Sequence, residues 1–156
     1  MHSFLPTVLM VPLLAASTAS GQDQGSAEAR LLSSYAAAWS SHDVEKVAAY
    51  FTDDAIYEDV TLGQVHQGKS AIKAFAQGTF DMLPGYAMKQ QSLVLGNGSA
   101  AVEWVMSGTY GETGKSFSVR GVSVMQLENG KIRRNSDYWN MAEFQRQTAV
   151  PAASGG

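Results

Sequence analysis

The pattern of apolar residues changes once along the chain, at Pro84-Gly85, and this change restricts the fold more than any other feature of the sequence. Before it, large apolar residues recur at helical spacing. After it, runs rich in β-branched and aromatic residues alternate with turn signals. Helices followed by antiparallel hairpins are typical of an α+β domain in which the helices cover one face of the sheet. Because such a sheet twists, it curves around its helices and leaves a cone-shaped pocket between them.

Three helices are predicted in the first half of the chain. Leu31, Tyr35 and Trp39 are each four residues apart and form one apolar stripe of the first helix. Asp43 is placed to cap a second helix, and a third short helix is expected over 70–77. The side chains of the stripe are expected to face the pocket.

Five strands are predicted, one before the change of pattern and four after it. They span 55–60, 92–95, 100–110, 117–127 and 131–139. Glycine-rich turn sequences, two of them containing Asn-Gly, separate the last four strands, as in a series of β-hairpins.

Both ends of the chain are predicted to lie outside the folded domain, which we place at 26–146. Residues 4–16 are mostly apolar and are followed by small residues, which is typical of a secretory signal and too short for a membrane span of about 20 residues. We therefore expect 1–21 to be a signal peptide, the protein to be secreted or periplasmic, and no stable membrane insertion. A flexible tail is expected over 147–156.

The composition excludes several classes of function. A net charge of −3 and the lack of clustered Lys and Arg argue against a nucleic-acid partner. The absence of cysteine excludes disulfides, thiolate metal sites and a cysteine nucleophile. The three histidines are scattered and form no metal-binding motif. We therefore expect neither a metal nor a cofactor.

Two aspartates are candidates for acid/base chemistry. Asp59 follows Tyr57 by two positions on a predicted strand, so both side chains point to the same face. A carboxylate that faces an apolar cavity loses hydration, which raises its pKa and lets it exchange protons near neutral pH. The alternative for Asp59 is to cap the turn before Gly63. Asp137 is a candidate second acid or base, or else the ion-pair partner of Arg120.

Several phrases of the sequence resemble those of the nuclear transport factor 2-like superfamily. They are residues 35–43 and 51–59, Gly68 before Ala71-Ile72, Asn129-Gly130-Lys131-Ile132 and Asp137-Tyr138-Trp139. The chain is most similar to the SnoaL-like and ketosteroid-isomerase-like branches, over roughly 27–144. This resemblance implies a curved, mainly antiparallel sheet wrapped around N-terminal helices. It leaves the activity open, because the fold hosts isomerases, cyclases, dehydratases, hydrolases and binding domains.

The resemblance also implies roles for particular residues. In ketosteroid isomerases a tyrosine on the first helix polarises the substrate carbonyl and an aspartate moves the proton, and Tyr35 and Asp59 match these positions. That enzyme's second oxyanion donor is a protonated aspartic acid, which Val122, or Gly121 with a gap, replaces here. Half of that oxyanion hole is therefore missing. SnoaL-like polyketide cyclases rely on a last-strand aspartate, which Asp137 matches.

Enzymes similar to limonene-epoxide hydrolase offer another comparison. They use a tyrosine and an Asp-Arg-Asp trio to hold the attacking water. Tyr57 and Asp137 match two of these residues, but Trp104 and Met106 stand where the arginine and the second aspartate would be. The resemblance therefore disfavours epoxide hydrolysis.

These observations predict a cofactor-independent acid/base enzyme for a hydrophobic, carbonyl-bearing small molecule. The reaction would be isomerisation, aldol-type cyclisation or dehydration. The candidate catalytic residues are Asp59, Asp137, Tyr35 and Tyr57, and the candidate ligand-binding residues are Trp39, Trp104, Met106, Arg120, Val122 and Trp139. One alternative is a non-catalytic secreted binding domain for an apolar ligand, and another is an assembly module with a vestigial pocket. A homodimer that pairs through the sheet is also expected.

Overall fold

The computed structural model describes residues 17–149. Residues 1–16 of the predicted signal peptide and 150–156 of the predicted tail lie outside the described residues. The helices are α1 (Ser17–Ser40), α2 (Val44–Ala48), α3 (Lys69–Met82) and α4 (Met141–Thr148), and the strands are β1 (Phe51–Asp59), β2 (Gln64–Gln67), β3 (Ala87–Gly96), β4 (Ser99–Tyr110), β5 (Lys115–Glu128) and β6 (Lys131–Trp139). None of these helices is long and apolar enough to cross a membrane.

The six strands form one curved, mixed sheet in the order β2-β1-β6-β5-β4-β3. The predicted antiparallel run is confirmed, because each strand from β3 to β6 pairs antiparallel with the next. β1 pairs in parallel with β6, a contact that the sequence did not predict. A strand's own periodicity shows which residues share a face but not which strand lies beside it, so this pairing had no local signal.

The first helix packs its apolar stripe against the concave face of the sheet. Tyr35 and Trp39 are buried as predicted, but Leu32 rather than Leu31 completes the stripe. The end of α1 is tied to β3, since Ser40 Oγ accepts a hydrogen bond from the amide of Met88 (2.9 Å). This tie fixes the start of β3 beside the helix.

A short link holds the next helix in place. Asp43 caps α2 as predicted, because its carboxylate accepts hydrogen bonds from the amides of Glu45 (3.0 Å) and Lys46 (3.1 Å). The preceding residue, His42, has a positive φ of 56° and its ring lies 2.8 Å from the carbonyl oxygen of Tyr86. The contact of His42 holds the main chain at Tyr86, the residue just before β3, next to the link between α1 and α2.

Candidate active site in the cone

A cavity of about 810 Å³ lies between the concave face of the sheet and helices α1, α3 and α4. Ligand pockets usually measure about 300–1,000 Å³. Most of its wall is apolar, and the lining residues that carry the argument below are Trp39, Tyr57, Asp59, His66, Phe75, Tyr86, Trp104, Met106, Tyr110, Asp137, Trp139 and Phe144. The only carboxylates among the lining residues are Asp59 and Asp137.

The two carboxylates come from neighbouring strands. Asp59 on β1 and Asp137 on β6 are direct partners in the parallel pairing, so their side chains stand side by side on the concave face. Adjacent strands lie about 4.8 Å apart. Asp59 is 5% exposed and Asp137 is 4% exposed. The parallel contact between β1 and β6 is therefore what brings the two predicted acid/base residues together.

Asp137 is held by three donors. Its Oδ1 accepts hydrogen bonds from Ser123 Oγ (2.5 Å) and Asn135 Nδ2 (2.8 Å), and its Oδ2 accepts one from the Tyr57 hydroxyl. Trp104 Nε1 in turn donates to Ser123 Oγ (2.8 Å). Burial raises the pKa of Asp137 to about 6, although the three donated hydrogen bonds act in the opposite direction. This carboxyl group therefore exchanges its proton close to neutral pH.

Asp59 is held by different donors. Trp139 Nε1 lies 3.1 Å from Oδ1 and 3.0 Å from Oδ2, and the amide of Leu62 donates to Oδ1 (2.8 Å). Asp59 therefore does both things that the sequence offered as alternatives: it caps the turn before Gly63, and it faces the cavity. Among the described residues, Oδ2 accepts a hydrogen bond only from the indole of Trp139, so this oxygen keeps acceptor capacity.

Two further polar groups in the cavity were not assigned to it from the sequence. Tyr86 is 4% exposed, and its hydroxyl has no hydrogen-bond partner within residues 17–149. Burial, together with the negative charges of Asp137 and Asp59, raises the pKa of Tyr86, so the phenol keeps its proton. Its position in the turn after Pro84 gave no signal that it faces a cavity.

His66 lies on β2, a strand that the sequence did not predict, and its ring stacks on Phe75 at 4.3 Å. Its Nε2 is buried without a hydrogen-bond partner among the described residues. Burial lowers the pKa of His66, while the charge of Asp59 raises it by a smaller amount. From the sequence, His66 falls in a loop before Gly68, where it could rim the pocket or be exposed, and the second alternative was favoured. A four-residue edge strand carries too little periodicity to recognise.

Helix α4 forms one wall of the cavity and was also not predicted. It contributes Phe144 and Thr148 to the lining, and Gln147 anchors the helix to the main chain of Ser118 on β5. Gln147 and Thr148 belong to the segment predicted as a flexible tail, and both are helical in the structure. Asn140, which caps α4 through the amide of Glu143 (3.0 Å), was the available signal.

Three predicted site residues do not reach the cavity. Tyr35 lies one turn before Trp39, about 6 Å along the helix axis, and its ring packs against Tyr50 and Phe51 instead. Arg120 and Val122 share a face, as expected, but it is the outer face of the sheet. The structure thus places these three residues outside the lining of the cone, contrary to their expected position.

The outer face has its own contacts. Arg120 forms an ion pair with Glu103, so it is not the partner of Asp137. Val94, Val124 and Tyr138 are exposed on the same sheet. The homodimer through this sheet stays a prediction.

The raised pKa of Asp137 predicts a pH-dependent stability. Because the folded-state pKa is raised from the ordinary 3.8 to about 6, the protonated form stabilises the fold, and this contribution is lost as the pH rises through 6. The loss is about 3 kcal/mol. We expect the free energy of unfolding of the wild type, minus that of Asp137→Asn, to fall by this order between pH 4 and pH 7. Titration of His66 affects both proteins alike. A difference that does not change with pH, measured by urea denaturation, would contradict the prediction.

The fold and the cavity define the class of protein. A curved, unclosed sheet that wraps around N-terminal helices and encloses a blind pocket is the cone fold of the nuclear transport factor 2-like proteins. The family model of the SnoaL-like domain matches residues 32–135, more than half of the chain, and the protein belongs to this family.

Solved structures share this fold at low sequence identity. A protein with a ketosteroid isomerase-like fold from Catenulispora acidiphila, in complex with trimethylamine, has a TM-score of 0.74 at 19% identity, over 81% of this chain and 97% of that one. A candidate polyketide cyclase from Xanthomonas campestris has a TM-score of 0.68 at 21% identity, over 80% and 98%. An LEH-like epoxide hydrolase from M. tuberculosis has a TM-score of 0.67 at 16% identity, over 79% and 90%.

Proposed function

We propose that this protein is a cofactor-independent acid/base enzyme for a largely apolar, carbonyl-bearing small molecule. The observation that carries the proposal is the side-by-side placement of Asp59 and Asp137 in an apolar cavity. Low solvent exposure favours proton transfer between such carboxylates and a carbon acid, because water does not compete for the charge.

Asp59 is the general base in this proposal. Its carboxylate takes a proton from the carbon next to the substrate carbonyl, and the electron pair of that C–H bond moves to the carbonyl oxygen, which becomes an enolate. The Tyr86 hydroxyl, which has no partner in the described structure, donates a hydrogen bond to that oxygen. Tyr86 thus takes the role that the sequence comparison suggested for Tyr35.

Asp137 is the second acid/base group. In its protonated form it gives a proton to a departing hydroxyl, which completes a dehydration and releases water. In an isomerisation, Asp59 returns its own proton to a different carbon of the enolate. The pKa of Asp137, raised to about 6 by burial, supports a role in which this group changes its protonation state.

Epoxide hydrolysis is not proposed, because the required charged trio has no place in this cavity. Trp104 and Met106 line the wall where an arginine and an aspartate would have to stand. Trp104 Nε1 is already bound to Ser123. An apolar pair of this kind supplies neither of the two charged groups that such enzymes use beside the last-strand aspartate.

Deuterium exchange tests the proposed function. The protein is incubated in D₂O with a panel of apolar ketones such as 2-tetralone, and loss of the proton signals next to the carbonyl is followed by NMR. We expect exchange faster than in buffer at the same pH, with a rate that saturates as the ketone concentration rises. Exchange at the buffer rate for every ketone that binds would contradict the proposal.

The second candidate function is a carrier that binds an apolar ligand without chemistry. The specific observation in its favour is that Asp137 already accepts three hydrogen bonds, which leaves little room for a substrate oxygen or proton at this group. Saturable binding of the ketones, seen as NMR shifts of the cavity residues without proton exchange, would support the carrier.

A further inference from the structure

The charges that line the cavity have one sign. Asp59 and Asp137 face it, and no lysine or arginine is among the lining residues. Within residues 17–149, neither aspartate forms an ion pair. Arg120 is paired with Glu103 and Arg134 with Glu58, so these arginines are already occupied. Within residues 17–149, no lysine or arginine supplies a countercharge for the two buried carboxylates, and burial lowers the pKa of His66, the one titratable base among the described lining residues.

Most of the hydrogen-bonding capacity of these two carboxylates is used, and the capacity that is left lies mainly on Oδ2 of Asp59. Asp137 accepts three hydrogen bonds, and Asp59 accepts the indole of Trp139 and the amide of Leu62. An ammonium group with several N–H donors would find few acceptors here. A cation without donors, or with only one, can still interact with the negative charge, because Coulomb attraction needs no free lone pair.

The wall of the cavity suits such a cation. Within residues 17–149, eight Phe, Tyr and Trp side chains line it: Trp39, Tyr57, Phe75, Tyr86, Trp104, Tyr110, Trp139 and Phe144. Aromatic rings attract a cation near their faces, and this attraction is strongest when water is excluded. Small inorganic cations require several oxygen ligands, and the described residues hold no group of three Asp, Glu or His side chains that could bind a metal. The wall therefore favours an organic cation.

The unpartnered hydroxyl of Tyr86 independently indicates a ligand. This side chain is 4% exposed and lines the cavity, and its hydroxyl is therefore available to an oxygen of a ligand. Nε2 of His66, also in the lining, is buried without a hydrogen-bond partner among the described residues, although buried polar atoms normally find one. A cavity of about 810 Å³ is much larger than a trialkylammonium group. The ligand would therefore combine a cationic group, an apolar body and an oxygen for Tyr86.

We propose that the cavity selects apolar molecules that carry a tertiary or quaternary ammonium group. The proposal deepens the proposed function, since it names the class of substrate for the same cavity. It does not depend on the reaction, because binding is measured separately from proton exchange.

A matched pair of ligands tests the proposal. The compound 3-hydroxyphenyltrimethylammonium and its neutral carbon isostere 3-tert-butylphenol differ in one charge and hardly in shape. Binding of each to the intact protein is measured by calorimetry at pH 7, where both phenols keep their protons. We expect the ammonium compound to bind at least about tenfold more tightly than the isostere.

Variants separate the charge effect from loss of folding. Asp59→Asn should remove most of the preference for the ammonium compound, and a far-ultraviolet circular dichroism spectrum and a urea midpoint close to those of the wild type show that the variant is folded. Asp54→Asn removes one charge from the exposed side of the same strand and should keep the preference. Asp137→Asn should reduce the preference in the same direction as Asp59→Asn.

Two results would overturn the proposal. The first is equal affinity of the wild type for both compounds, which would leave the proposed proton-transfer reaction standing with a neutral substrate. The second is a preference that survives both Asp59→Asn and Asp137→Asn, since the cation would then bind elsewhere. Tight ammonium binding without proton exchange from any ketone would overturn only the proposed reaction.

Discussion

Replacing Asp59 by asparagine is expected to lower the rate of deuterium exchange into a bound ketone by about 10²–10⁴-fold, the usual contribution of a positioned general base. Asparagine has the same shape and keeps an oxygen for the amide of Leu62, which donates to Asp59 Oδ1 at 2.8 Å. It cannot take a proton at neutral pH. The fold and the affinity for a ketone should therefore change little while the rate falls.

The control is Asp54→Asn, on the same strand. Asp54 is exposed and lies outside the cavity lining, so this variant makes the same chemical change without touching the site. Its exchange rate should equal that of the wild type. A large loss in Asp137→Asn with a wild-type rate in Asp59→Asn would exchange the roles of the two aspartates. If both variants kept the wild-type rate, the acid/base assignment would be wrong.

The concave face of the sheet could be predicted only in part, and β1 shows why. The spacing of two between Tyr57 and Asp59 correctly placed both on one face, and both line the cavity. Their neighbour Asp137 was identified as a candidate separately. That Asp59 and Asp137 are direct partners follows from the parallel pairing of β1 and β6, which links residues almost 80 positions apart and has no local signature.

The sequence analysis predicted wrongly which residues of β5 point to the concave face, because side-chain packing with β4 decides this. An apolar Val122 between Gly121 and Ser123 looks like the inward residue, yet the structure turns Val122 outward and the two small residues inward. The indole of Trp104, opposite Gly121 on β4, occupies the space above both small residues. Side-chain volume on the neighbouring strand, rather than hydrophobicity along β5, decides which face is buried.

The position of Tyr35 was predicted wrongly because helical spacing shows which face of a helix is buried, but not which turn of the helix lies beside the cavity. Tyr35 and Trp39 lie on the same stripe, but only Trp39 is level with the cavity. Tyr35 belongs to an aromatic cluster with Tyr50 and Phe51. Which turn of a buried helix faces a cavity depends on how the sheet curves around it, which one sequence does not record.

The packing of Trp104 on Gly121 predicts that Gly121→Ala destabilises the fold by about 2–4 kcal/mol. A Cβ atom at position 121 would lie 2.2 Å from Cη2 of Trp104, so the indole has to move. Overpacking of this kind costs about 1–3 kcal/mol, and a displaced indole also loses its hydrogen bond to Ser123, which leaves a buried donor unpaired. Because Ser123 holds Oδ1 of Asp137, the disturbance reaches the site.

The matched control is Gly96→Ala, near the end of β3. A Cβ atom there meets nothing within 4 Å, so the change in stability should stay within about 1 kcal/mol, the usual range for glycine to alanine at an unstrained position. Urea denaturation followed by tryptophan fluorescence measures both variants. Near-ultraviolet circular dichroism shows whether the indole environment has changed. Equal stability of the two variants would mean that Trp104 is not held against Gly121, and that Asp137 does not depend on this contact for its position.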